Sequence, residues 1–158
     1  MKQLTADEAY RRLSTLCAAR EMCAAEARKK LAQWGVDGPT SEAVVARLVR
    51  EHYIDDARYA RMFVHERLHV NRWGKMKIAY ALRGKGIDEV SVSAALAEID
   101  EREYEEILRE VLAVKARGLR AATDAEHFAK LVRFAASRGF EQHLTYACLR
   151  RQDEGGDE

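Results

Sequence analysis

The chain has 158 residues, 47% hydrophobic and 34% charged, with a formal net charge of +1 and a single proline. That length and apolar content allow a packed core and exclude a disordered or membrane-embedded chain. Three cysteines, an odd number with no C-x-x-C spacing, exclude a disulfide framework and read as reduced thiols. Scarce helix breakers and abundant Ala, Leu, Arg, Glu and Lys predict an all-α fold with no sheet. The opening MKQLTADEAYRR has no apolar signal core, and no apolar run reaches the length of a membrane span, so a cytoplasmic location is expected.

In chain order, helices are expected near 6–19, 22–34, 41–52, 55–71, 74–84, 89–99, 102–117, 124–138 and 142–151. The first opens on TADE, a capping-box pattern from Thr5 to Glu8. Three glycines then act as rulers. LAQWGV (31–36), LRGKGI (82–87) and AASRGF (135–140) each end a helix on a glycine followed by an apolar residue. Gly35, Gly86 and Gly139 lie 51 and 53 residues apart. Glycine at such a helix end takes the left-handed conformation without cost, and the next residue packs back on the last turn.

After each glycine a helix starts, with apolar pairs Val44/Leu48, Val92/Leu96 and, more weakly, Thr145/Leu149. In the first copy DGP is read as an insert before the caps Thr40 and Ser41. A longer helix precedes each unit, with an acid three residues ahead of a tyrosine: Asp7/Tyr10, Asp56/Tyr59 and Glu101/Tyr104. The expected organisation is an elongated tandem array of three three-helix repeats, 1–52, 53–100 and 101–151, with an acidic flexible tail at 152–158.

His65-Glu66-Arg67-Leu68-His69 spells H-E-x-x-H, which on a helix places two imidazoles on one side with a general base between them. A third ligand is missing: Arg72 and Lys75 stand where the extended motif has glycine and histidine. Arg67, within a basic segment, also opposes a dication. The string is read as part of an amphipathic helix with the stripe Tyr59, Met62, Phe63 and Leu68, and no metal is expected. GKG at 84–86 lacks the strand, spacing and hydroxyl of a phosphate loop. No nucleophile constellation is visible. Neither catalytic residues nor a cofactor are expected, and the protein is read as a non-enzyme.

Charge is unevenly placed. From Arg58 to Gly86 eight basic residues face one acid, Glu66, and from Lys115 to Arg138 six face Asp124 and Glu126. Acids collect in EREYEE at 101–106 and DEGGDE at the end. Such segregation suits a polyanionic partner, although exposed helices also carry charge for solubility. In NRWGKMKIAYALRGKGID (71–88), Ile78 and Leu82 make a core stripe while Trp73, Lys77 and Tyr80 fall on the other side, with Arg83 at its margin. Aromatics among cations fit a phosphate backbone or a protein groove; equally, the rings can pack against a neighbouring module.

YIDDARYARMFVHERL (53–68) followed by GKMKIAYALRGKGI (74–87) resembles the central signature of the RecX family of recombinase regulators. Ile54, Asp55, Asp56, Tyr59, Ala60, Phe63 and Val64, then Ile78, Leu82, Lys85, Gly86 and Ile87, carry the resemblance. Glu26, Lys30, Leu31, Gly35 and Val36 extend it into the first module, and it is diffuse in the third. There are departures: His52 and Tyr53 replace a glycine and a small apolar residue, Trp34 an expected lysine, and Ala27 a leucine. Trp34 weakens the case for a basic surface in the first module.

The resemblance implies tandem three-helix repeats without catalysis. It also implies binding along the groove of a RecA-type recombinase filament on single-stranded DNA, restraining ATP hydrolysis, strand exchange and co-protease activity. On that reading a monomer meets the filament through Arg67, Arg72, Lys75, Lys77, Arg83 and Lys85, with aromatic contacts from Trp73 and Tyr80. A weaker second patch comprises Lys115, Arg117, Arg120, Lys130, Arg133 and Arg138. Contact with single-stranded DNA is expected to be weak or indirect, with no membrane partner. The alternative is a stand-alone nucleic-acid-binding helical-repeat protein acting without a recombinase.

Overall fold

Where glycine punctuation ends one helix, capping residues begin the next, and the structure follows that rhythm. It is a computed structural model that describes residues 4–156, with side chains described over 4–151. Among the described residues there are helices α1 (Ala6–Ala19), α2 (Ala24–Gln33), α3 (Gly38–Arg50), α4 (Asp56–His69), α5 (Lys75–Gly84), α6 (Glu89–Ala97), α7 (Glu101–Gly118), α8 (Asp124–Ser137) and α9 (Gln142–Gly156), and no strand. Gly35, Gly86 and Gly139 have φ of 76°, 75° and 93°, the left-handed helix-ending geometry. Val36, Ile87 and Phe140 each return a backbone N–H to the helix just ended, accepted by Leu31, Leu82 and Ala135.

Two boundaries differ from expectation by three residues or more. α3 begins at Gly38, not beyond the proline: Asp37 is its cap and accepts the Thr40 N–H at 2.8 Å. Pro39 sits in the first turn, where its missing N–H costs nothing. At the other end, α9 continues through 152–156, residues expected to form a tail, because nothing before Gly155 interrupts the helix; 157–158 lie outside the described residues.

The chain divides into two compact units, Met1–Met62 with Leu82–Ser93, and Phe63–Ala81 with Ala94–Glu158. In the first, α1 and α2 pack on α3 around Leu13, Met22, Leu31, Val44, Val45 and Leu48, with Ile54 closing the cluster. In the second, α7, α8 and α9 pack on one another. They bury Tyr104, Leu108, Leu112, Leu131, Phe140 and Leu149.

Each unit contains one unusual junction at a helix start. Cys23 precedes α2 but supplies no side-chain cap. The Ala24 N–H is instead accepted by Asp56 at 2.9 Å, from the first turn of α4. Asp55, next to it, accepts the Arg58 N–H of its own helix at 3.0 Å. The paired aspartates of IDDARYA therefore cap two different helices. Tyr59 donates to Glu26 at the same place, and Lys85 lies 4.0 Å from that carboxylate.

At the second junction three successive N–H groups at the start of α5 are satisfied from distant sequence. Gly74 donates to the Arg138 carbonyl at 2.7 Å, Lys75 to the Tyr104 hydroxyl at 3.0 Å, and Met76 to the Gly139 carbonyl at 3.0 Å. Tyr104 in turn donates to Glu141. The C-terminal end of α8 thus abuts the N-terminal end of α5, the favourable sense for helix dipoles.

Candidate functional site

The cations that the sequence singles out divide by what holds them. Lys75 and Lys85 belong to the junctions: Lys75 pairs with Glu101 and lies 4.6 Å from the Tyr104 ring centroid, and Lys85 reaches Glu26 and the Tyr59 ring. Arg67 and Lys77 both lie over Trp73, at 5.5 and 4.5 Å from its ring centroid. Trp73 itself packs edge-on against Phe63, centroids 6.4 Å apart, so this ring is a half-buried support for cations. Tyr80 is different: it is 79% exposed, and Met76 and Arg83 are also exposed four residues before and three after it on α5. Arg72 pairs with Glu110 at 2.9 Å, and Arg83 grips Glu89, with one nitrogen–oxygen distance of 3.2 Å.

The Lys115–Arg138 segment separates in the same way. Lys115 and Arg138 lie over Phe134, at 4.8 and 5.1 Å from its centroid. Lys130 is occupied at the start of α8, bonding the Arg120 carbonyl at 2.9 Å and Glu126 at 3.1 Å. The Arg117, Arg120 and Arg133 side chains are exposed.

Two basic grooves result, one in each unit. The first, about 450 Å³, joins Lys85 to Arg20, Lys29 and Lys30 around Glu26. Burial pushes the Glu26 carboxyl up, but hydrogen bonds from Tyr59 and Cys23 and the nearby Lys85 charge outweigh it, so the group titrates below its usual value and stays anionic. Arg20 and Lys29 are not among the cations that the sequence singles out, and Lys30 is marked there only by the family resemblance; the run Arg28-Lys29-Lys30 is the signal that points to them. The second groove, about 590 Å³, sets Arg72, Lys115 and Arg138 around Glu110, over walls of Val111, Val114 and Phe134. It unites one cation of the central segment with two of the later one. A further cleft in the first unit, also about 450 Å³, lies between Arg11, Arg12 and Trp34, with the Arg12 guanidinium 5.5 Å from the indole centroid.

The H-E-x-x-H residues do local work. His69 Nε2 pairs with Glu103 and Nδ1 lies 2.8 Å from the His65 carbonyl, so both ring nitrogens are engaged. Among the described residues no three His, Cys, Asp or Glu side chains converge as metal ligands. The cysteines are buried and unpaired, and burial raises all three thiols, Cys23 to about 11.

Helical throughout the described residues, the protein belongs to the class of helical-repeat proteins. Residues 55–96 match the family model described as RecX, second three-helix domain. A regulatory protein RecX of Herminiimonas arsenicoxydans is 30% identical over 142 residues, covering 88% of this chain and 89% of that one. One from Mycobacterium sp. (strain KMS) is 32% identical over 142 residues, covering 87% and 78%. The crystal structure of RecX from Lactobacillus salivarius superposes with a TM-score of 0.84 at 17% identity, covering 94% of this chain and 96% of that one. The chain belongs to the RecX family.

Proposed function

We propose that the protein binds a RecA-type recombinase filament on single-stranded DNA and restrains its ATP hydrolysis, strand exchange and co-protease activity. It acts as a cytoplasmic monomer, without cofactor or catalysis. The observation that carries this reading is the match to regulatory RecX proteins along nearly the whole chain, in the same order. The two basic grooves and the exposed Tyr80 and Arg83 of α5 support it, because such cations suit the phosphates of the filament's DNA and would pair with carboxylates on its protein. Regulation requires only that these surfaces fit one filament state better than another, since a ligand shifts an equilibrium by its differential affinity.

The test is DNA-dependent ATP hydrolysis by the recombinase, titrated with the protein. Wild type is expected to inhibit, and Lys29→Glu, Lys77→Glu and Arg83→Glu combined to weaken inhibition about tenfold or more. Lys75 is left unchanged because its side chain is held at the α5 junction. Inhibition by the triple variant equal to wild type refutes the assigned surface, and no inhibition by wild type refutes the function.

The second reading, a nucleic-acid binder acting alone, draws on the Arg12–Trp34 cleft, where a base can stack beside a cation. It requires tight, steeply salt-dependent binding to naked DNA.

A further inference from the structure

The groove bounded by α7, the C-terminal half of α8 and the α4–α5 connector has a composition unlike the one in the first unit. Its floor and walls are aliphatic and aromatic, and Val114 is 64% exposed on α7. Its rim carries Arg72, Lys115 and Arg138. Asn71 adds an amide, and Glu110 stands beside Arg72 as the single acid. We infer that this groove is a docking site for an acidic peptide segment of a partner protein, with one bulky apolar side chain seated between Val111, Val114 and Phe134.

Three observations select that occupant. Three cations against one acid favour a negatively charged ligand, and the apolar walls give it a place to bury an anchor, the usual source of affinity in a small protein contact. The Phe134 ring is already covered by Lys115 and Arg138, so a nucleic-acid base has to displace a cation before it can stack. Glu110 lines the same space and can accept a peptide N–H, a donor that a phosphate group lacks, or remain paired with Arg72. The first unit's groove, in contrast, sets four cations, Arg20, Lys29, Lys30 and Lys85, around Glu26 with Ala25 as its one apolar side chain, and so offers no seat for a bulky apolar anchor.

This inference does not depend on the recombinase proposal: the peptide titration below and the ATPase titration above can fail separately. The full chain, isotope-labelled, is titrated by NMR with peptides of roughly ten residues. One is rich in Asp and Glu around a central Leu-Phe pair, a second has that pair replaced by alanines, a third is neutral with the pair retained, and an oligothymidylate is the nucleic-acid probe. The acidic, apolar peptide is expected to move the Val111, Val114 and Phe134 signals and to bind about tenfold more tightly than either partial peptide. Val114→Asp and Lys115→Glu are each expected to weaken it about tenfold. Arg117→Glu, an exposed position on α7 outside the lining, controls for general charge and leaves binding within about twofold. Thermal melts of the variants confirm that each remains folded. No response at these residues, an equal response to the partial peptides, or an oligothymidylate that moves the same signals at lower concentration overturns the inference.

Discussion

A single methyl group separates two of the glycines in consequence. A Cβ at Gly35 meets nothing within 4 Å, so Gly35→Ala costs only the left-handed backbone, about 1 kcal/mol. A Cβ at Gly74 lands on the carbonyl of Gly139, and relief has to break the hydrogen bonds that Gly74 donates to Arg138 and Met76 to Gly139. Gly74→Ala is therefore expected to cost roughly 3 kcal/mol or more, an easily resolved difference in thermal melts. Equal melting temperatures for the two variants refute the tight junction. The thiols give a pH signature. Cys23 is neutral in the fold with its pKa at about 11, above its ordinary value near 9, so its contribution to stability is full below pH 9 and is lost as pH rises towards 11. Denaturation midpoints are expected to fall across that window, and Cys23→Ala to flatten the fall. At pH 8 a thiol reagent is expected to label none of the three cysteines in the folded protein and all of them in denaturant.

Element by element, helix starts sort by who caps them. α1, α3, α7 and α8 use their own Thr5, Asp37, Asp100 and Thr123. α2 and α5 lack such a cap and borrow acceptors from α4, and from α7 and α8. Packing and capping are therefore one event at those two places. Asp56→Ala is expected to lose the Ala24 bond and about 1–2 kcal/mol, whereas Asp56→Asn keeps an acceptor and loses less than half of that. Urea denaturation of both variants checks the order, and equal losses dismiss the cap. The same contrast explains what the sequence could and could not reveal. Helix positions were readable because the glycine endings and the local caps lie within a few residues of what they serve. The α3 start was misplaced because Gly-Pro looks like a break, although both residues suit a first turn behind Asp37. His52 at φ 64° and Arg72 at φ 59° end helices in the conformation that glycine marks elsewhere, without the glycine. Borrowed caps left no local trace, since Asp56 and Ala24 are 32 positions apart and Tyr104 and Lys75 are 29. The basic residues were legible as charge. Which of them face a groove depended on Glu26, Glu110, Phe134 and Trp73, partners fixed only by folding.

For the molecule as a whole, a formal net charge of +1 conceals cations that are already neutralised where they stand. Arg72 has Glu110, Arg83 has Glu89, Lys75 has Glu101, and Lys85 has Glu26. A phosphate that approaches one of them competes with a carboxylate at contact distance, and counterion release is small because the protein's own acids occupy the place of counterions. Exposed pairs of this kind contribute little to folding, so neutralising the acids changes affinity more than stability. Naked single-stranded DNA is accordingly expected to bind weakly, with a shallow dependence on salt. A double variant, Glu89→Gln with Glu110→Gln, unmasks Arg83 and Arg72. It is expected to bind oligothymidylate several-fold more tightly, with the slope of log affinity against log salt steeper by about one to two. Fluorescence anisotropy across a salt series measures both quantities. A steep slope in the wild type, unaltered in the double variant, shows instead that free cations dominate and favours the protein as a DNA binder in its own right. A shallow slope that steepens on unmasking shows a surface tuned against bare nucleic acid, on which a partner with its own basic groups has to draw off the acids before the cations engage.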